Sequence, residues 1–220
     1  TARLTIMRYP VLALILVLVV SGCGSTTDDA PRLDDVAPDT QDAVVAPDPS
    51  ATSTTSSATA SERLEEIAAE VDAWAGSSTL DEARAHAEAA ANLVVGTGGL
   101  GYGDRDGNDE ITGEVQNGLL PGPDGAPAGI VLDTIGEADC VNRDVLGGEW
   151  DDPVARWSLL AEAIDGWAPD NNTFPSLPSH PMRIVGWATL TQSGTFEEAI
   201  EYAGHADLHV GVSRDALSRC

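Results

Sequence analysis

The sequence predicts an all-α protein: a small helical bundle interrupted by one long Gly/Asp-rich structured loop and preceded by a leader and a tether. Three observations predict it. Apolar residues recur with a period near 3.6 in several windows of helix length. Three of these windows open on cap-forming residues and two of them close on glycine. A segment rich in Gly, Asp and Pro, 96–127, separates them and reads as a functional loop rather than a linker.

The first window follows Ser61, a plausible N-cap, and carries Leu64, Ile67, Val71 and Trp74 on one face. Glu62, Glu65, Glu66, Glu70 and Asp72 lie on the other face, and Gly76 is the stop. A second helix is expected over Leu80–Val95, entered through Ser78-Thr79 and ended at Gly96. Residues 129–138 offer one more turn or two. Pro153–Trp167 reads as a third long helix, with Trp157, Leu160, Ile164 and Trp167 at i, i+3, i+7 and i+10. Pro181–Leu190 is a shorter apolar helix, and Phe196–Leu217 a long one entered through Thr195. Residues 61–220 are enough for one domain with a single core.

The N-terminal segment has a different logic. Val11 to Val20 is apolar throughout, follows a stretch whose only charges are Arg3 and Arg8, and ends at Ser21-Gly22-Cys23. That is the pattern of a secretory signal peptide, 1–22, in a run shorter than the roughly 18 residues of a membrane span. Met7 reads as the natural start of such a leader. Val20-Ser21-Gly22-Cys23 resembles the lipobox of bacterial lipoproteins. The resemblance implies cleavage before Cys23, a diacylglycerol on its thiol, and placement on the extracytoplasmic face of a membrane. Residues 23–60 hold Ser, Thr, Asp and four prolines without apolar periodicity, which reads as a disordered tether. As a flexible coil it spans about 35 Å.

After removal of 1–22 the chain keeps nine arginines against 36 Asp and Glu, a net charge of −27, and it has no lysine anywhere. Clustered cations that neutralise phosphates are absent, so nucleic acid is excluded as a partner. The acidity suits divalent cations or a salty medium.

Two cysteines remain beyond the lipid site, Cys140 and Cys220. In an oxidising compartment they are expected to pair, pinning the last helix to the segment after the loop, at a gain of about 4 kcal/mol by the chain-entropy model. A free C-terminal thiol or an intermolecular bond are the alternatives.

The loop contains Gly103-Asp104-Arg105-Asp106-Gly107-Asn108-Asp109-Glu110-Ile111-Thr112, with oxygen side chains at positions 1, 3 and 5 of a tight turn. Calcium takes six to eight hard oxygen ligands from such a backbone. The run resembles the loops of EF-hand and dockerin proteins over about a dozen residues. By position, the resemblance implies Asp104, Asp106 and Asn108 as side-chain ligands and Glu110 as a carbonyl ligand. It departs from the pattern at position 6, where Asp109 replaces glycine, and at position 12, where Val115 stands in place of a bidentate glutamate and Glu114 comes one residue early. The expected affinity is correspondingly weak.

Glu201, His205 and His209 are spaced i, i+4, i+8 on the last helix, and His86 shares the inner face of the second with Ala83, Ala90 and Leu93. Together they are candidates for a zinc or copper site, with half-buried bundle histidines as the alternative. His180 reads as a helix-entry residue.

Gly96-Thr97-Gly98-Gly99-Leu100-Gly101 matches G-x-G-x-x-G, but an alanine-rich helix precedes it and an acidic loop follows, the wrong context for a dinucleotide. His86-Ala87-Glu88 matches the H-x-E of zinc deaminases without the cysteine pair that completes it. No H-E-x-x-H or G-x-S-x-G occurs. The His-Ala-Glu helix, the Asn92-to-Gly96 exit and the Gly-Tyr-Gly-Asp-x-Asp-Gly loop together resemble uncharacterised helical envelope lipoproteins over about 30 residues. The expected function is a lipid-anchored binding or interaction module of the cell envelope, stabilised by calcium. A spacer with no ligand and a metal-dependent enzyme using the histidines are the other two readings.

Overall fold

The computed structural model describes residues 59–123, 129 and 139–219. The leader, Cys23, nearly all of the tether, the expected turns at 129–138 apart from Gly129, and Cys220 lie outside the described residues. Among the described residues the fold is all-α, with six α-helices and no strand.

Helix α1, Ala60–Ala75, starts one residue before the expected cap at Ser61. Thr59 is the cap instead: its hydroxyl accepts the Glu62 N–H at 3.2 Å while Glu62 Oε2 accepts the Thr59 N–H at 2.8 Å. This reciprocal box satisfies two orphan donors, which Ser61 would not. Its stripe of Leu64, Ile67, Val71 and Trp74 is buried as expected. Helix α2, Leu80–Val95, is capped by Thr79 and closed by Gly96 at φ +66°, both where the sequence places them.

Helix α3, Asp139–Val141, continues into a π-helical turn, Asn142–Leu146, too short to register as periodicity. Arg156 staples its end to the next helix, donating to the Leu146 carbonyl at 2.8 Å and lying 5.2 Å over the Trp150 ring. Helix α4, Pro153–Asp165, begins on an Asp152 cap and ends at Gly166. Trp167 is therefore not its last core position. It follows the helix and packs on Trp187 and Tyr202 instead.

Helix α5, His180–Thr191, is capped by Ser179, and α6, Phe196–Arg219, opens on a Thr195–Glu198 box. Helix α1 packs on α2 and α6, and α5 packs on α6 and α2, so the four form a closed ring with α4 against α5. Ala83, Ala87, Ala90 and Ala91 are fully buried along α2 and let its neighbours approach closely. No helix among the described residues is long and apolar enough to cross a membrane.

Candidate functional site

The loop after α2 is built on two polar side chains one turn apart in that helix, Glu88 at 1% exposure and Asn92 at 0%. A carboxylate so deep in an apolar face is stable only if its lone pairs are used. Glu88 Oε2 accepts the backbone N–H groups of Arg105 at 2.5 Å and Asp106 at 3.2 Å. Its other oxygen accepts the Thr112 N–H at 2.8 Å and lies 3.0 Å from the Thr112 hydroxyl. Asn92 donates to the carbonyls of Gly103 and Thr112 at 3.1 and 2.8 Å and accepts the Gly103 N–H at 3.2 Å. Both ends of the acidic turn are thus tied to one face of α2.

The returning arm of the loop closes the helix end. Leu119 and Leu120 donate backbone N–H groups to the carbonyls of Leu93 and Val94 at 3.1 and 3.0 Å. Those carbonyls have no partner inside the helix, so the loop does the work of a C-cap. The close approach needs glycine: a Cβ on Gly118 would lie 2.4 Å from the Val95 carbonyl carbon. Of the glycines that mimic a dinucleotide fingerprint, Gly96 belongs to this closure, since a Cβ there would lie 2.2 Å from the Gly118 nitrogen.

Inside the turn, Asp104 Oδ1 accepts from the N–H groups of Gly107 and Asn108 at 2.6 and 3.1 Å, and Oδ2 from Asp109 at 2.9 Å. Asp106 accepts from the Asn108 N–H, and Asn108 Oδ1, expected as a side-chain ligand, accepts from the Glu110 N–H at 2.7 Å. Asp109, the residue that replaces the pattern's glycine, stands at φ +69° and is the one described non-glycine residue with positive φ. Aspartate is among the few side chains that tolerate that region, so the departure at position 6 leaves the turn intact.

Ligand oxygens of Glu88, Asp104 and Asp106 all lie within 4.8 Å of one another. Two oxygens on opposite sides of one calcium ion stand about 5 Å apart, so the three can share a single cation. Glu88 was not legible as a ligand in the sequence, where it appears only in the abortive H-x-E match. Glu110 is exposed and outside this group.

The charges are crowded. Burial and the repulsion of Glu88 and Asp104 push the Asp106 carboxyl up, against the pull of the Asn108 N–H. Desolvation would raise Asp104 too, but the N–H groups of Asp109, Gly107 and Asn108 outweigh it and hold it low. Arg105 turns away from the carboxylates, its guanidinium reaching Thr189 on α5 at 3.3 Å and the Leu100 carbonyl at 3.2 Å. Burial brings it down to about 10 despite Glu88, so it stays charged at neutral pH.

The histidines fall in three places. His86 pairs with Glu70 of α1 at 2.7 Å, on the side of α2 that faces α1, and does not join the others. His205 stacks on Trp187 at 4.4 Å between centroids, with Nε2 4.0 Å from Glu201. His209, 8% exposed, meets His180 with Nδ1 to Nδ1 3.0 Å apart. His180 does open α5, as its position suggests, but it also supplies the imidazole that His209 contacts. Cys140 sits half-buried in α3 and is not a free thiol.

The His180–His209 contact sets an acid limit on stability. Burial, then His180, Arg183 and His205, bring His209 down to about 3, and burial and Arg183 lower His180 against the opposing pull of Asp144. A folded value below the unfolded one means that the unfolded chain binds the proton first as pH falls. Stability is therefore full above about pH 6.5 and declines below it, by about 1.4 kcal/mol per pH unit for one such histidine. Urea unfolding between pH 7 and 5 is expected to show this slope, and His209→Gln to flatten it. An unchanged slope in the variant would place the acid sensitivity elsewhere.

No protein-family model matches the chain, and comparison with curated proteins and with solved structures returned no match.

Proposed function

We propose that the protein is a lipid-anchored binding module of the cell envelope whose acidic loop is ordered by one calcium ion held by Glu88, Asp104 and Asp106. The observation that carries the calcium part is the meeting of a fully buried helix carboxylate with two loop carboxylates within 4.8 Å, with no salt bridge to any of them among the described residues. A divalent cation offsets that repulsion and uses oxygens the turn already presents. The ion fixes the loop and is not a reaction centre. The anchoring part rests on the leader and the lipobox-like Val20–Cys23, and a pairing of Cys140 with Cys220 would fit the same oxidising compartment.

Thermal unfolding of the full chain tests the calcium part. Modules outside the cell commonly bind calcium with Kd near 10⁻⁴ M, so 10 mM calcium is expected to add about 2.7 kcal/mol. In a domain of this size that raises Tm by about 5–10 °C over the value in EDTA. Magnesium should do less, because it keeps its waters and demands octahedral geometry. Equal Tm values in calcium and EDTA would leave a solvated acidic turn, and the spacer reading with it.

A further inference from the structure

On the face formed by α5, α6 and the segment after α4, apart from the acidic loop, the structure holds a half-open cleft of about 170 Å³ lined by Trp167, Trp187, Tyr202, His205, Glu198 and Glu201. Its walls are aromatic and meet as a corner. Trp167 stands at 89° to Tyr202 with centroids 5.7 Å apart, and at 82° to Trp187 with centroids 6.3 Å apart. Trp187 is locked from behind by Phe174, 4.6 Å away and edge-on, so the corner is rigid. The rim carries two carboxylates and no arginine. Glu198 is fixed in its ionised form by the Thr195 N–H at 2.8 Å, which lowers its pKa, and Glu201 is exposed at the mouth.

We propose that this cleft binds a small organic ammonium group, quaternary or methylated, with the aromatic corner enclosing the cation and Glu198 and Glu201 supplying the counter-charge. Ring faces attract a cation through their quadrupole, most strongly where water is excluded, and several rings around one site are the usual cage for a methylated ammonium. The observations weigh against the other occupants. An anion meets two carboxylates with no cation to offset them. A sugar ring stacks on a flat exposed aromatic platform, whereas here Trp167 stands nearly perpendicular to Trp187 and Tyr202. A transition metal finds one imidazole here, with Nε2 4.0 Å from the nearer glutamate. The Tyr202 hydroxyl is pushed up by burial and by Glu198 and Glu201, which agrees with a negative potential at the cleft.

The test is tryptophan fluorescence and calorimetric titration of the full chain with tetramethylammonium, choline and glycine betaine, against 3,3-dimethylbutan-1-ol as the uncharged counterpart of choline. Choline and tetramethylammonium are expected to bind and perturb tryptophan emission, with the alcohol at least tenfold weaker. Glu201→Gln, which removes charge from an exposed residue, should weaken choline at least fivefold without changing far-UV circular dichroism, and Trp167→Phe should weaken it while retaining a ring. Vesicles of phosphatidylcholine and of phosphatidylglycerol separate the two sources: capture by the first alone marks a lipid headgroup, and binding of free choline without vesicle capture marks a soluble solute. Choline and its neutral counterpart binding alike, or no response to tetramethylammonium at 100 mM, would overturn the proposal.

Discussion

Glu88→Ala is expected to lower the stability of the domain by about 3–5 kcal/mol and to release the loop from α2. The substitution removes the acceptor of three backbone N–H groups, those of Arg105, Asp106 and Thr112. Each buried donor left unpaired costs roughly 1–3 kcal/mol, and together they exceed anything the loss of one crowded charge returns. Urea unfolding followed by tryptophan emission measures the change. Glu88→Gln keeps an acceptor toward one pair of donors and turns an amide NH₂ toward the other, so it should fall between wild type and alanine. If Glu88→Ala costs less than about 1 kcal/mol, the carboxylate is not the post on which the loop is built.

Gly113→Ala is expected to cost about 3 kcal/mol, an effect of backbone contact. Gly113 has φ +66°, and a Cβ there would lie 2.4 Å from the Ala89 carbonyl oxygen. That oxygen belongs to the middle of α2 and cannot move without breaking the helix, so the loop must lift. Gly98 provides the control: its φ is +82° but a Cβ would meet nothing within 4 Å. Gly98→Ala should therefore show only the left-handed penalty, about 1 kcal/mol. Equal effects at the two positions would mean that conformation alone, and not the seating of the loop on Ala89, limits the site.

The helices were legible because burial imposes a period. Leu64, Ile67, Val71 and Trp74 announce α1, and Thr79 with Gly96 brackets α2. The loop was legible as an ordered acidic turn from its alternating Asp and Asn on glycines. What periodicity cannot show is a polar residue on the buried side of a helix. Glu88 and Asn92 sit among the fully buried alanines of α2, and their role depends on where a loop of some twenty-five residues returns. The signal available was their i, i+4 spacing inside an apolar stripe. For the histidines, helical spacing put His205 and His209 on one line, but one element's face does not say which neighbour it meets. His86 turns to α1 and Glu70, and His209 to the first residue of α5. Trp167 was assigned to a helix that Gly166 ends first, and the cleft it lines could not be anticipated from the α4 pattern.

The account stands on the acidic loop being a cation site centred on Glu88. Isothermal titration of calcium into the full chain and into its Glu88→Gln and Asp104→Asn variants tests that directly. One calcium per chain with Kd between about 10⁻⁵ and 10⁻³ M, weakened at least tenfold by either substitution, is the predicted result. No heat of binding at millimolar calcium, or binding that both variants retain, would contradict it.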